Sequence, residues 1–252
     1  MPALSLPSLL PALQPETAFP DDPTFLESLT RPRLSLLWGT QAPTRTLLTA
    51  ATALVAGGTP VRLFDGGNAF DGYFVARLAR RLARLTSLEQ DGPPQPAHRP
   101  AVLPGGPDAS SNLGASGRDG PHEALSRLRL SRAFTCFQLA ELIENAPATS
   151  EPLFVLDLLA TFYDESVPLR DSERLLGTTL THLKRLAAVA PVIVGAHEPQ
   201  TLVTPRPSAE GLTVGRGVKD RWLLLDHLQT AADTAWMLRA PEPEPVLQPR
   251  LF

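Results

Sequence analysis

The chain alternates short apolar runs with amphipathic segments over most of its length. Six runs have the length and turn boundaries of strands, at residues 34–38, 61–64, 128–133, 153–156, 192–196 and 234–238. Between them the spacing predicts helices at 44–56, at 135–145, at 172–189, at 220–232 and through Phe70, Phe74, Leu78 and Leu82. Strands that alternate with helices are typical of βαβ units. The pattern predicts an α/β fold, a mainly parallel sheet with helices on both faces.

Other segments break this alternation. Residues 1–32 are irregular apart from a short helical possibility at 24–29, and we expect an N-terminal arm. Residues 91–121 hold seven prolines and six glycines, a composition too poor in apolar residues to order itself, which predicts a disordered insertion. Residues 199–219 form a second irregular stretch, and 241–252 alternate proline with glutamate, which predicts an extended tail. The core domain is expected at 33–240.

Composition excludes some partners and sites. The net charge of -3 provides no general attraction for nucleic acid, so any phosphate contact must come from a local patch. The single cysteine, Cys136, suits a buried core position in a protein of the reducing cytoplasm. We expect neither a signal peptide nor a membrane helix, and therefore no membrane partner. No histidine pair has metal-ligand spacing.

The loop after the first strand carries candidate chemistry. Gly-Thr-Gln-Ala-Pro-Thr-Arg-Thr, residues 39–46, joins that strand to a helix whose free N–H groups favour an anion. Against the phosphate-loop pattern G-x-x-x-x-G-K-[ST], Gly39 and Thr46 match. Thr44 replaces the second glycine, and its side chain restricts the backbone that would wrap the phosphate. Arg45 replaces the lysine, so a bulky planar guanidinium stands in place of a compact ammonium. This is a degenerate Walker A motif.

Further segments follow in the order of one family. They are Val-Arg-Leu-Phe-Asp-Gly-Gly-Asn-Ala-Phe at 61–70, Ser-Arg-Ala-Phe-Thr-Cys-Phe-Gln-Leu at 131–139, Leu-Phe-Val-Leu-Asp at 153–157, and His-Glu at 197–198. With residues 39–46, this order resembles the RecA-like recombinases and ATPases, especially archaeal and eukaryotic recombinases and their paralogues. The resemblance covers about residues 33–239.

The resemblance implies a RecA-like P-loop fold whose nucleotide site is damaged. The cofactor-binding positions would be Gly39, Thr44, Arg45, Thr46 and Asp157, with Thr46 and Asp157 as the metal ligands, on the expectation that the strands ending at Trp38 and Leu156 are neighbours. Asp65 matches the acidic residue after the second strand. Gly67 stands where the family has its water-activating glutamate, and His197 and Glu198 stand at the γ-phosphate sensor. We therefore expect no catalytic residues, and ATP and Mg²⁺ bound weakly or not at all.

The resemblance also implies partners. The loop after the fifth strand contacts DNA in the family, and here it holds Arg206, Arg216, Lys219 and Arg221, a basic set that could follow single-stranded or double-stranded DNA. Active recombinases or other RecA-fold subunits are the expected protein partners. The leading hypothesis is an accessory subunit in DNA recombination and repair.

Other interpretations stay open at this point. The arm and tail would suit a non-catalytic interaction module that binds neither ATP nor DNA. A Rossmann-type cofactor enzyme would use Asp65 as its ribose-binding acid, although the first loop lacks G-x-G-x-x-G. Asp157 could simply cap the following turn, Asp65 could only form a turn, and His197 and Glu198 could be solvent-facing loop residues.

Overall fold

The structure is a computed structural model that describes residues 23–40, 43–90, 121–199 and 216–238. Its elements, in chain order, are α1 (Pro23–Ser28), β1 (Arg33–Gly39), α2 (Thr44–Ala56), β2 (Val61–Asp65), α3 (Gly72–Gln90), α4 (Pro121–Ser126), β3 (Leu128–Arg132), α5 (Cys136–Glu144), β4 (Leu153–Leu156), α6 (Leu169–Ala187), β5 (Pro191–His197), α7 (Arg216–Ala231) and β6 (Thr234–Leu238). All six predicted strands are present. The short helix α4 was not predicted.

The strands form one sheet in the order β3-β2-β4-β5-β1-β6, and every pair is parallel. The predicted α/β fold with a parallel sheet is therefore confirmed. The prediction that the strands ending at Trp38 and Leu156 are neighbours is wrong, because β5 lies between β1 and β4. Strand order is decided by packing between distant segments, which the local apolar pattern does not encode.

Each face of the sheet carries its own apolar core. On one face α2 and α3 cover the strands. Phe74, Leu78 and Leu82 of the predicted stripe are buried there, whereas Phe70 lies before α3 and is only partly buried. On the other face α5, α6 and α7 pack over the strands. Because β1, β4 and β5 are covered on both sides, they consist of almost uninterrupted buried residues.

The first helix extends one of these cores. Phe25 and Leu29 are buried, and the Phe25 ring meets Trp236 of β6 edge-on with centroids 5.4 Å apart. The helical turn expected at 24–29 is thus present, and this described part of the predicted arm packs against the sheet. The remainder of the arm, the 241–252 tail and the predicted insertion, apart from Pro121 at the start of α4, lie outside the described residues.

Helix α5 begins at a defined cap beside edge strand β3. The Thr135 hydroxyl accepts a hydrogen bond from the Gln138 N–H at 3.2 Å, and the Gln138 side chain accepts one from the Phe134 N–H at 2.9 Å. The first bond satisfies a free N–H donor of the first helical turn, and the second ties the helix to the residue before its N-cap. They also fix the backbone of Phe134 at the exit of β3.

Within the described residues, no helix is long and apolar enough to cross a membrane.

Candidate functional site at the carboxyl edge of the sheet

Polar residues collect where the parallel strands end. Gly39 closes β1, Asp65 closes β2, Asp157 follows β4 and His197 closes β5. In open α/β sheets, ligands bind outside the carboxyl ends of the strands. The sequence-predicted nucleotide residues therefore lie at the edge where such folds place their sites.

Asp157 and His197 form the closest polar pair at this edge. The Asp157 Oδ1 atom is 2.7 Å from His197 Nδ1 and 3.3 Å from the His197 backbone nitrogen, which donates to it. The two side chains are 9% and 18% exposed. An ionised carboxylate only accepts hydrogen bonds, so the pair requires a proton on Nδ1. In the neutral ring, Nε2 is then the nitrogen left to accept a hydrogen bond or a proton.

Tyr163 holds the histidine from its other side. Its hydroxyl donates to the His197 carbonyl at 3.0 Å, and the two rings meet edge-on with centroids 5.2 Å apart. Burial, together with the negative charges of Asp157 and Glu198, raises the pKa of Tyr163 well above its ordinary value. Tyr163 is therefore a neutral donor that fixes the end of β5.

The backbone at Asp157 lies in the left-handed region, with φ of 49°. Non-glycine residues adopt this conformation at some cost, and aspartate is among those that tolerate it best. The following residue, Leu158, donates its N–H to the Gly195 carbonyl at 2.8 Å and so pins the turn to β5. The side-chain bonds of Asp157 go to His197, so the interpretation of Asp157 as a simple cap of its own turn is wrong.

Gly67 packs directly against Asp157. A β-carbon built at Gly67 would lie 2.8 Å from Asp157 Cβ and 2.9 Å from Asp157 Oδ2. Real β-carbons essentially never approach so closely, so any side chain at position 67 would displace Asp157. The water-activating glutamate that the family resemblance places at position 67 has no room beside Asp157 as it stands.

Asp65 organises the loop after β2. Its carboxylate is fully buried and accepts hydrogen bonds from the Ala69 and Phe70 N–H groups at 2.9 and 3.2 Å. The same carboxylate pairs with Arg132 of β3 at 3.1 Å. Both oxygens are engaged within the protein. Asp65 is thus a turn-forming residue, and a ribose-binding role would require these bonds to break.

The degenerate loop leads its helix over β5. Arg45 is exposed, and its guanidinium carbon lies 5.7 Å from the centre of the Phe74 ring of α3. Thr46 is buried. A β-carbon built at Gly195 would be 2.5 Å from Leu47 Cδ1 and 3.6 Å from the Asp157 nitrogen. The first turn of α2 and Asp157 therefore meet across Gly195, even though their strands are not neighbours.

One of the two predicted Mg²⁺ ligands, Asp157, is already engaged within the protein at this edge. Magnesium in proteins takes oxygen ligands, commonly one or two carboxylates together with waters and phosphates. One Asp157 oxygen is bound by His197, the other packs against Gly67, and the Thr46 hydroxyl is the second predicted ligand. Among the described residues, no group of three or more histidine, cysteine or acidic side chains could hold a metal.

The four residues predicted to bind DNA have different positions in the structure. Arg206 lies outside the described residues. Arg216 and Lys219, expected in a loop, lie instead in the first turns of α7, and their side chains are not described. Arg221 is buried and donates to the Phe162 and Val167 carbonyls at 2.6 and 3.0 Å. The guanidinium thus fixes the 157–168 loop to α7, and the predicted DNA contact would require these internal hydrogen bonds to break.

Sequence reasoning missed how this edge is connected. The sequence indicated His197 and Glu198 as sensor or loop residues, and the pairing of His197 with Asp157 and Tyr163 had no local signal. Glu198 likewise is not simply a solvent-facing residue, because its N–H donates to the Gly39 carbonyl at 2.8 Å. No protein-family model and no curated protein matches the sequence. Function must therefore follow from the residues themselves.

Proposed function

We propose that this chain is a RecA-like accessory subunit in DNA recombination and repair, which acts in the cytoplasm with little or no ATP hydrolysis. Support comes from the order of the motif segments along the sheet. The degenerate phosphate loop follows β1, Asp65 closes β2, Asp157 follows β4 and His197 closes β5. Six parallel strands with helices on both faces are compatible with a RecA-like P-loop fold.

The observation that carries the non-hydrolysing part of the proposal is the contact between Gly67 and Asp157. A glutamate at position 67 would orient the attacking water, and general-base assistance of this kind commonly contributes about 10² to 10⁴ in rate. The space for that side chain is filled by the Asp157 carboxylate. The carboxylate itself is held by His197 at 2.7 Å instead of being left open to a metal.

Arg45 supports the same conclusion from the phosphate side. The family lysine reaches the β- and γ-phosphates as a compact charge, whereas the Arg45 guanidinium stacks near Phe74 on the neighbouring helix. A phosphate would have to draw the guanidinium away from that ring. ATP and Mg²⁺ are therefore proposed to bind weakly or not at all.

The test is ATP turnover by the wild-type chain, with and without single-stranded DNA, beside nucleotide binding by calorimetry. We expect turnover at background under both conditions. Arg45→Lys alone should not raise turnover, because the missing water-orienting carboxylate is a separate contribution to the barrier. Turnover well above background that is lost in Arg45→Ala would overturn the proposal and make the arginine a working phosphate ligand.

DNA is the proposed nucleic-acid partner, and fewer basic side chains would contact it than the sequence suggested. Arg206, Arg216 and Lys219 remain as candidates, and Arg221 is engaged inside the protein. Replacing these three by alanine should weaken single-strand affinity and lower its salt slope by about 0.7 for each phosphate that is no longer neutralised. A reduced affinity at unchanged slope would place the DNA site elsewhere.

A pure interaction module is the second candidate. The burial of Arg221 favours it, because fewer basic side chains then remain to contact DNA. Two exposed aromatic side chains beside β3, Phe134 and Phe137, favour it as well. Aromatic residues are enriched at protein interfaces. Binding of an active recombinase with no salt-dependent DNA affinity would favour this candidate over the first.

A further inference from the structure

The outer side of helix α3 carries one aromatic and three basic side chains in a single row. They belong to Tyr73, Arg77, Arg80 and Arg84, and all four are exposed. The arginines follow Tyr73 by four, seven and eleven residues, so the row lies within a sector of about 60° and extends along about 16 Å of the helix. The apolar side of the helix packs on the sheet, so the row points away from the core. We name this row the basic face.

The helix itself provides little negative charge to balance the basic face. Glu89 is the only acidic residue of α3, and it comes five residues after Arg84. Asp71 lies just before the helix, and its carboxylate accepts the Phe74 N–H at 2.9 Å. Within the described parts of the chain, neither Arg80 nor Arg84 forms an ion pair. Positive charge is therefore concentrated on this surface, although the whole chain has a net charge of -3.

One further arginine extends the basic face onto helix α2. Arg45 and Arg77 both place their guanidinium groups over the Phe74 ring, at 5.7 and 6.0 Å from its centre. The same ring thus holds arginines of two helices on one surface. Because these contacts restrict the side chains in advance, less conformational entropy is lost when an anion binds there.

Tyr73 gives the basic face a second kind of contact. Its side chain is 77% exposed, which leaves the ring open to a partner. Proteins that bind single-stranded nucleic acid combine a positively charged track along the backbone with aromatic side chains on which bases stack. A duplex does not offer its bases in this way, because they are already stacked and paired. An exposed ring in line with arginines therefore favours a single strand over a duplex.

We infer that the basic face of α3 binds single-stranded DNA, with phosphates at the arginines and one base on Tyr73. The inference rests on the DNA partner of the proposed function, and it assigns to that partner a surface separate from Arg206, Arg216 and Lys219. At 3.4 Å per nucleotide along one strand, the length of the basic face corresponds to about five nucleotides. Contacts of this kind make the affinity depend on salt and not on base sequence.

The first experiment measures binding of a labelled oligothymidylate to the full chain by fluorescence anisotropy at several salt concentrations. The variant combines Arg80→Gln with Arg84→Gln, which removes two exposed charges. We expect the salt slope to fall by about 1.4, because each neutralised phosphate of a single strand contributes about 0.7. This loss corresponds to roughly 25-fold weaker binding at about 0.1 M salt. The melting temperature should not change, because both side chains are exposed.

Helix α6 provides the matched control. Arg170 and Arg174 are exposed there, in a helix that covers the other face of the sheet and also carries Asp171 and Glu173. Arg170→Gln with Arg174→Gln changes the net charge of the protein by the same amount as the first variant. This control should keep the wild-type affinity and the wild-type salt slope.

Substitutions of Tyr73 test the stacking contact separately. Tyr73→Ala should weaken binding of the oligothymidylate by about fivefold or more at an unchanged salt slope, because a stacked base is lost while the phosphate contacts remain. Tyr73→Phe keeps the ring and should bind like wild type. Binding of duplex DNA should not respond to either substitution. If Tyr73→Ala binds the single strand as wild type does, the assignment of a base to Tyr73 is wrong.

The remaining outcomes separate this inference from the proposed function. An unchanged slope in the Arg80 and Arg84 variant, or an equal loss in the α6 control, would overturn the inference. If the alanine variant of Arg206, Arg216 and Lys219 loses the slope at the same time, the proposed DNA partner stands without the basic face. A wild-type chain with no salt-dependent DNA binding would overturn both. Loss of binding to phosphatidylserine vesicles in the first variant, with DNA binding intact, would assign the basic face to lipid. None of these outcomes depends on ATP turnover.

Discussion

His197 Nδ1 lies 2.7 Å from Asp157 Oδ1, and this contact ties the end of β5 to the turn that follows β4. The same Asp157 oxygen accepts the His197 backbone N–H, so one carboxylate satisfies two groups of one residue. Because the carboxylate is nearly buried, its removal would strand both donors. The pair therefore contributes to the stability of the carboxyl edge, whatever else binds there.

Two replacements of Asp157 should differ in their effect on stability. Asp157→Ala should lower the free energy of unfolding by about 2 to 4 kcal/mol, because two donors lose their acceptor and alanine tolerates the left-handed backbone poorly. Asp157→Asn keeps an acceptor and a residue type that suits this backbone, so about 1 kcal/mol is expected. Urea denaturation measures both values. Losses below about 0.5 kcal/mol in both variants would show that the pairing with His197 contributes nothing.

Replacing Gly67 and Gly177 by alanine should change the stability of the protein in opposite directions. Gly67→Ala should destabilise the protein by about 1 to 3 kcal/mol, because the new β-carbon would collide with Asp157. Gly177→Ala should stabilise it by about 0.5 to 1 kcal/mol, because position 177 is in α6 with open space around it and alanine is the better helix former. Thermal unfolding of both variants checks this. An unchanged or raised melting temperature for Gly67→Ala would contradict the packing described at position 67.

Arg221 should behave as a structural residue. Arg221→Gln should lower the free energy of unfolding by about 2 kcal/mol or more, because the Phe162 and Val167 carbonyls lose a charged donor. Arg80→Gln, at an exposed position of α3, should stay within about 0.5 kcal/mol of wild type. If Arg221→Gln leaves stability intact and lowers DNA affinity instead, the predicted nucleic-acid role would be restored.

Cys136 should make stability depend on pH above neutrality. Burial raises the pKa of the Cys136 thiol, so the folded state keeps its proton where the unfolded chain, with an ordinary thiol pKa of about 8.5, loses it. The stabilisation is complete below that pKa and declines as pH rises above it, by at most about 1.4 kcal/mol per pH unit. Unfolding free energies from pH 7 to 10 should fall more steeply for wild type than for Cys136→Ala. Parallel curves would contradict the burial of the thiol.

The sequence predicted the strands well because their cause is local. Runs such as 153–156 and 192–196 are apolar throughout, as strands covered on both faces must be. The insertion of β5 between β1 and β4 has no local cause, and the same is true of the pairing of His197 with Asp157. The internal contacts of Arg221 were not predicted for a related reason, because its basic character was visible in sequence while the carbonyls that it binds lie 54 and 59 residues away. Helix α4 is too short to display a period.

Gly195 joins three segments of the domain at one point. Its missing side chain lets Leu47 of α2 sit directly on β5, while its carbonyl holds the turn after β4. A central strand, the start of a helix on one face and a connecting turn thus depend on the same residue. These three segments should open together rather than singly, so the amide hydrogens of β5 are expected to exchange with solvent only when the whole domain unfolds.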